Sequence, residues 1–331
     1  MNILVTGGCG MIGSNLVKRL VSLNHSVFVI DNLYRGSIEN LSYTFSSKDY
    51  CLDLEKNFYN IDLSNFKQNL VAKYIDENKI ETVYHLADIV AGVDFAFKEK
   101  LFVFRNNILI NSNIINEVKK TQTKNFIYTG TICSFPKKLQ DGVYNLPLKE
   151  TDQYPADPES PYGMSKLMGE YETELLMNAT SINTSILTLH NVYGVPAVFS
   201  ESNSQVIPSL IRKAINYPKE DFVIWGSGEQ TRTFVNVNDV VDSLVLTLDK
   251  GINKGLIQIG TNENIKIKDL AKLIIQISNK KIPLKFDLKM PEGDRSRAAN
   301  FNKAKKILSW EPKINLVDGL EDLYNWISNK V

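Results

Sequence analysis

The stretch Thr6-Gly7-Gly8-Cys9-Gly10-Met11-Ile12-Gly13 decides how this chain is read. It joins an apolar run, Asn2 to Thr6, to a segment from Met11 to Leu23 whose apolar residues recur at helical spacing. An apolar run ending in glycines is typical of a fully buried parallel strand. Glycines between strand and helix permit a tight turn and let backbone N–H groups approach a pyrophosphate, and the helix N-terminus adds a partial positive charge. Alone the GxxGxxG spacing is a weak signal, because a purely structural turn explains it too. The next apolar run, Ser26 to Ile30, ends at Asp31. That is roughly 20 residues on, where a carboxylate accepts from the ribose hydroxyls of a bound dinucleotide. A carboxylate there also repels the extra phosphate of NADP, so NAD is the expected cofactor, with Arg35 close by keeping NADP as the alternative.

Outward from this unit the same rhythm continues. A strand is expected at Asn57 to Ile61, a helix in Ser64 to Glu77 and a strand at Thr82 to His85. A long helical stretch from about Val93 to Lys120 leads to a strand at Asn125 to Thr129. Strands alternating with helices argue an α/β fold with a parallel, doubly wound sheet of the Rossmann type. A loop containing Pro136, Asp141, Gly142, Pro147, Pro155, Pro158 and Pro161 then interrupts the pattern. Pro161 suits the first position of a helix, read as Tyr162 to Asn178, and Thr184 to Leu189 is a further strand. From about Gly194 the elements are shorter and mixed, as expected of a substrate lobe. The division is therefore a dinucleotide-binding domain over 1–190 and a smaller mixed α/β lobe over 191–331, with some elements returning to the first domain.

At 331 residues and 43% apolar, the chain exceeds what one compact domain usually needs. Its 38 basic and 37 acidic side chains nearly cancel, and the basic surplus of a nucleic-acid binder is missing. Cys9, Cys51 and Cys133 are too few and scattered for a disulfide framework, and no CxxC or His/Cys cluster suggests a metal. The first strand begins almost at Met1, leaving no room for a targeting peptide, and apolar runs such as SLVLTL fall far short of a membrane span. The expectation is a soluble cytoplasmic protein with no membrane or nucleic-acid partner.

Tyr162 and Lys166 form a YxxxK pair, about one helical turn apart and so on one face. The lysine charge is expected to lower the tyrosine pKa and make it an acid/base near neutral pH. Such a pair is also common on any solvated helix. The glycine loop, and Thr131 arriving just past the fifth strand, tip the reading to catalysis. His85 and His190 lie at strand ends and are read as satisfied structural histidines, and His25 as a surface residue. Trp225 is expected to pack, with stacking on a base as the alternative.

The motifs TGGCGMIGS at 6–14, DNLYRGS at 31–37, DL at 62–63, HLA at 85–87, Asn107, SPYGMSK at 160–166 and HNVYG at 190–194 resemble the extended short-chain dehydrogenases/reductases. WGSGEQTRTFVNVND at 225–239 and PEGDRSR at 291–297 extend the likeness over nearly the whole chain, and they resemble the nucleotide-sugar branch. The resemblance implies retained NAD, a nucleotide-diphosphate-sugar substrate of carbohydrate biosynthesis, and a homodimer built on a helix bundle. By position it places Gly7, Gly10, Met11, Ile12, Gly13, Asp31 and Asn32 on the cofactor. Asp62 and Leu63 would flank the adenine, with Leu86, Ala87, Asn107, Thr129, Tyr162 and Lys166 further along. It implies that Thr131 bonds the reacting sugar hydroxyl beside Tyr162, and that Asn191, Gln205, Arg232 and Arg295 hold the substrate. The arginines suit a pyrophosphate because guanidinium forks bind oxygens in pairs. Arg297 lies in the same polar segment.

Tyr128-Thr129-Gly130-Thr131-Ile132-Cys133-Ser134-Phe135-Pro136 bears on the reaction. Family 4,6-dehydratases place an acidic pair after the threonine, and decarboxylases a glutamate; Ile132 and Cys133 stand there instead. GTICSFPK resembles GDP-mannose 3,5-epimerases and GDP-fucose synthases, where a cysteine at this place exchanges protons beside a ketone. Those enzymes pair it with a lysine or histidine near the segment that here reads Asn203-Ser204-Gln205-Val206-Ile207-Pro208, and neither Gln205 nor Val206 is an acid or base. The expected function is an NAD-dependent nucleotide-sugar epimerase, leaning slightly to inversion at C4, with Cys133 as candidate second acid/base. A C4 oxidoreductase is the alternative enzyme, a 4,6-dehydratase a weaker one, and an NAD-sensing regulator the non-catalytic alternative.

Overall fold

A computed structural model describes residues 1–41, 52–90, 95, 98–141, 147–201, 204–290 and 295–331. Cys51, Gly142, Asn203, the first residues of PEGDRSR and the expected start of the long helix at Val93 lie outside them. Seven strands form one parallel sheet. They are β1 (Asn2–Thr6), β2 (Ser26–Asp31), β3 (Phe58–Asn60), β4 (Thr82–His85), β5 (Asn125–Thr131), β6 (Asn183–Leu189) and β11 (Leu256–Ile259), in the order β11-β6-β5-β4-β1-β2-β3. The order reverses between β1 and β4, the topological switch point where such sheets bind ligands beyond their carboxyl ends.

Helices cover both faces. On one lie α1 (Met11–Ser22), α6 (Val237–Leu246) and α8 (Asn302–Leu308), whose Leu16, Leu20, Val240, Leu244 and Leu308 pack with Ile3, Val5 and Ile257. On the other, α2 (Leu70–Glu77) and α3 (Lys100–Val118) bring Val71, Ile75, Ile110 and Ile114 against Leu4, Val83 and Phe126. A third core belongs to the lobe built by α5 (Val206–Asn216), α7 (Ile267–Ser278) and α9 (Leu316–Ser328), around Leu210, Ile211, Leu270, Ile274, Leu320 and Leu323. Its strands pair in twos: β7 (Asn191–Tyr193) with β10 (Phe234–Asn236), β8 (Val223–Trp225) with β13 (Lys285–Asp287), and β9 (Thr231–Arg232) with β12 (Ile265–Lys266). The second half of the chain thus supplies both the lobe and the sheet's seventh strand. It is tied to the first half by Tyr84, whose hydroxyl donates to the Leu244 carbonyl at 3.1 Å, and is braced within itself by Trp310 Nε1 donating to the Asp239 carbonyl at 2.8 Å.

Two boundaries differ from the sequence reading in ways that matter for the site. The helix expected from Ser64 starts at Leu70, because Asp62 Oδ1 ties Ser64 into a turn and Asn69 sits at φ 65. Strand β5 runs on through Gly130 to Thr131, paired with Thr188 and Leu189 of β6. Thr131 is therefore held on the sheet rather than beyond it. Helix α4 (Pro161–Ala179) follows, capped by Ser160, whose side chain accepts from Gly163 N at 3.1 Å. Along α4, Met164, Met168, Tyr171 and Leu175 are exposed at 3- and 4-residue spacing, and Leu101 and Leu109 are exposed on the adjacent α3.

Candidate active site

A cleft of about 970 Å³ opens across the carboxyl end of the sheet and into the lobe. That is within the usual size of a small-molecule site. Its first wall is the glycine loop. Gly7 sits at φ 70, and a Cβ there would come within 2.8 Å of Ala87 N; one on Gly13 would overlap the Gly7 carbonyl oxygen. Those two glycines are required by the turn itself. Gly10 differs: a Cβ would meet only the Gly7 oxygen, at 3.4 Å. It is the N-cap of α1 and supplies no capping side chain, so the first turn of the helix, Met11 to Gly13, faces the cleft with its backbone donors.

Asp31 ends β2 on the same wall, buried. Its Oδ2 accepts from Cys9 N at 2.9 Å and its Oδ1 from Leu33 N at 2.8 Å. Burial raises its pKa, and these two bonds pull it back. An ionised carboxylate has about four acceptor sites, so two bonds leave room for vicinal hydroxyls. Asn32, Asp62 and Leu63 line the adjoining end. The open helix turn, the acceptor 2.9 Å from the loop and the length of the cleft fit a dinucleotide.

Further along, Leu86, Ala87 and Thr129 line the floor, with Thr129 Oγ1 donating to the His85 carbonyl at 3.0 Å. Tyr162 and Lys166 project from the first turns of α4 into the same region, and Thr131 meets Tyr162 from β5. Thr131 Oγ1 also accepts from Cys133 N at 3.3 Å. The phenol is not pulled down as expected. Burial, then the neighbouring Cys133 and Asp88, push its pKa up, against the Thr131 hydroxyl and the Arg35 guanidinium. Lys166, from which the lowering was expected, is engaged elsewhere: its ammonium pairs with the buried Asp88 carboxylate and lies 4.4 Å above the Tyr128 ring.

The end of the cleft that runs into the lobe is lined by Asn191, Gln205, Arg232 and Trp225. Asn191 Nδ2 donates to the Thr233 carbonyl at 2.9 Å, which fixes its orientation. Trp225, expected to pack, stands 38% exposed at the cleft, because β8 lies at the lobe's rim. Two placements implied by the resemblance differ. Asn107 is fully buried off the cleft: Ile89 N donates to its Oδ1 at 2.7 Å and its Nδ2 to the Ile89 carbonyl at 3.2 Å, so it braces the loop after β4. Arg295 is exposed, its backbone bonded to Gln140 and Thr231, and does not line the cleft; Arg297 does. Arg297 Nη1 donates to Cys133 Sγ at 3.1 Å, and Nη2 lies 3.9 Å from Glu159.

His85 and His190 are buried neutral histidines. His85 bonds Thr6 and Asn111, His190 bonds Gln258 and Thr233, and burial lowers their pKa values to about 3 and about 4. Sequence reasoning missed Asp88 and Glu170. Asp88 had a signal: a carboxylate in an apolar run just past a buried strand, at the switch point. Glu170 is one turn beyond Lys166 on α4, and its carboxylate packs at Gly130, accepting from Ser134 Oγ at 3.2 Å and from Gln153. Among the described residues no cluster of His, Cys, Asp and Glu could hold a metal, and no helix is long and apolar enough to cross a membrane.

Residues 3–260 match the NAD dependent epimerase/dehydratase family. The chain is 28% identical over 332 residues to GDP-mannose 3,5-epimerase of Arabidopsis thaliana, covering 100% of this chain and 83% of that protein. It is 28% identical to a putative UDP-glucose 4-epimerase of Methanocaldococcus jannaschii, covering 99% and 98%. Among solved structures it is similar to UDP-glucose 4-epimerase of Thermotoga maritima with UDP-glucose (TM-score 0.87, 28% identity, 100% of this chain and 99% of that one). It is also similar to UDP-glucuronic acid 4-epimerase of Bacillus cereus with UDP-glucuronic acid and NAD (TM-score 0.84, 26% identity, 100% of both). With its switch-point glycine loop, its Tyr162/Lys166 helix and this likeness along its whole length, the chain belongs to the NAD-dependent epimerase/dehydratase family of extended short-chain dehydrogenases/reductases.

Proposed function

We propose that this protein is an NAD-dependent nucleotide-diphosphate-sugar epimerase working through a transient keto sugar. The observation that carries the reading is the meeting of Thr131 and Tyr162 in the cleft beside the glycine loop, with Ile132 and Cys133, and no carboxylate, following Thr131. Gly7, Gly10, Met11, Ile12 and Gly13 would hold the pyrophosphate, and Asp31 the adenosine ribose. NAD, when bound, supplies a reversible hydride acceptor. Thr131 positions a sugar hydroxyl, Tyr162 takes its proton as the ketone forms, and Tyr162 returns it when the ketone is reduced. Inversion needs the sugar to turn between the two events, and no external reductant is consumed. Asn191, Gln205, Arg232 and Arg297 orient the diphosphate, and Trp225 offers a face to the base. The exposed stripe of α4, with its neighbours on α3, is the surface on which a homodimer would form.

A second reading is favoured by one contact. Neither Gln205 nor Val206 gives Cys133 a lysine or histidine partner, yet Arg297 donates to its sulfur at 3.1 Å. In this reading the Cys133 sulfur, held by that contact, would take a carbon-bound proton beside the ketone. A panel of UDP-, GDP-, CDP- and dTDP-sugars turned over in heavy water, with products read by NMR, tests both. Inversion at C4 returns the same hydrogen, so no solvent deuterium enters the ring and Cys133→Ser is mild. Inversion at C3 or C5 brings deuterium into the product, and Cys133→Ser abolishes it. Wild-type protein that epimerises none of the panel defeats the proposal.

A further inference from the structure

Asp88 leaves the end of β4 on the loop that Asn107 braces. Its side chain is 2% exposed and that of its partner Lys166 is 4% exposed. Behind it Asn111 Nδ2 donates to Asp88 Oδ1 at 3.3 Å, and Asn111 Oδ1 accepts from His85 Nε2 at 2.8 Å. His85 Nδ1 then accepts from Thr6 Oγ1 at 2.6 Å, a single neutral tautomer satisfying both bonds. A buried polar chain therefore runs from the first strand to Lys166, and Asp88 is its charged end. Taking both ions of such a pair out of water is costly, and an apolar pair of the same size holds a fold as well, so stability alone gives no reason for it.

The charge has a consequence for the cleft, which Asp88 lines. An ammonium by itself lowers the pKa of a neighbouring phenol; paired with a carboxylate it presents almost no net charge. By offsetting the Lys166 ammonium, the Asp88 carboxylate also removes a positive charge that would disfavour a cationic ring against a neutral one. Oxidised nicotinamide is cationic and the reduced form is not.

We propose that Asp88 is a positioning residue whose negative charge holds Lys166 at the cleft floor and biases the resident nicotinamide towards its oxidised form, so that hydride goes back to the keto sugar. This rests on the epimerase reading above. The balance is closed: two electrons and one hydrogen leave the sugar carbon and return to it, while the hydroxyl proton goes to Tyr162 and back. The charged and titratable groups around the pair are Tyr162 and Glu170 on α4, His85 on β4, Tyr128 on β5, Cys133 after it, and Arg35 facing Tyr162. None of these supplies a second carboxylate against Lys166 at hydrogen-bond distance among the described residues, so the bias is expected to follow Asp88.

The test is Asp88→Asn, which keeps the shape and one acceptor. Wild-type and variant protein are titrated with NAD and with NADH, with no substrate present. The variant is expected to lose about tenfold of the wild-type preference for NAD over NADH. Removing an anion lowers the pKa of every neighbouring acid, so both limbs of the kcat/KM profile are expected about one unit lower in pH. Asp88→Glu, which keeps the charge, is expected to keep the NAD preference. A folded Asp88→Asn with either readout unmoved overturns the proposal. If that variant does not fold, Asp88→Ser is read in the same way. Wild-type protein that turns over no sugar nucleotide defeats the epimerase reading instead, and the cofactor titration still judges Asp88.

Discussion

Glu170 ties stability to pH in a way that can be worked out in advance. Its carboxylate is buried between α4 and the end of β5, and burial raises its pKa from 4.5 to about 7 despite donors from Gln153, Ser134 and the Thr131 backbone. Between those values the folded chain holds a proton that the unfolded chain has lost. The contribution is therefore fully present below about pH 4.5 and is lost as pH rises through about 7. A rise from 4.5 to about 7 is worth about 3 kcal/mol, at about 1.4 kcal/mol per unit. For 331 residues that is about 4 °C in Tm. His85 and His190 act in the opposite sense. Their folded pKa values lie below the unfolded one of 6.5, so their contribution is lost as pH falls below it. The raw wild-type curve mixes the two, and a variant separates them. Glu170→Gln mimics the protonated acid at constant volume. Relative to wild type, it is expected to gain about 3 kcal/mol between about pH 4.5 and about pH 8, read by scanning calorimetry or urea melts at each pH. A Tm difference between the two proteins that is the same at both ends refutes the assignment of a protonated Glu170.

Three further outcomes are expected. Tyr162→Phe keeps the ring and removes the ionisable oxygen, so epimerisation should fall by at least about 100-fold with NAD affinity little changed; near-normal turnover rules Tyr162 out as the acid/base. Asp31→Ala removes the acceptor for ribose hydroxyls and the charge that opposes a further phosphate, so calorimetric titration should show NAD weakened more than NADP. Wild-type protein that prefers NADP overturns that assignment. The exposed stripe on α4 should bury itself in a dimer, and Leu175→Glu should give a monomer by sedimentation; a wild-type monomer at micromolar concentration excludes that surface.

The chain's local order carries a great deal. Asn2 to Thr6, the glycine loop and Met11 onwards are legible because strand, turn and helix are each set by neighbours a few residues away. So are Asp31 at the end of its strand and Tyr162 and Lys166 one turn apart. Alternation of such units leaves few topologies, and the sheet order around β1 and β4 is the doubly wound one. The start of α2 was less legible, because Asn69 at φ 65 breaks a pattern that apolar spacing alone continues. Charge and contact across the cleft were not legible at all. Arg295 and Arg297 are two residues apart in one polar segment, and the segment's course beside Gln140 and Thr231 decides that Arg297 turns inward to Cys133. Asn107 has the residue type of a cofactor ligand, but α3 packs it beneath Ile89, where it serves the loop. Lys166 was placed by its spacing from Tyr162, whereas the carboxylate its ammonium pairs with is Asp88, 78 residues earlier. Helical and strand periods are properties of adjacent residues, while the field at Tyr162 is a sum over groups that only the folded chain brings within a few ångströms of one another.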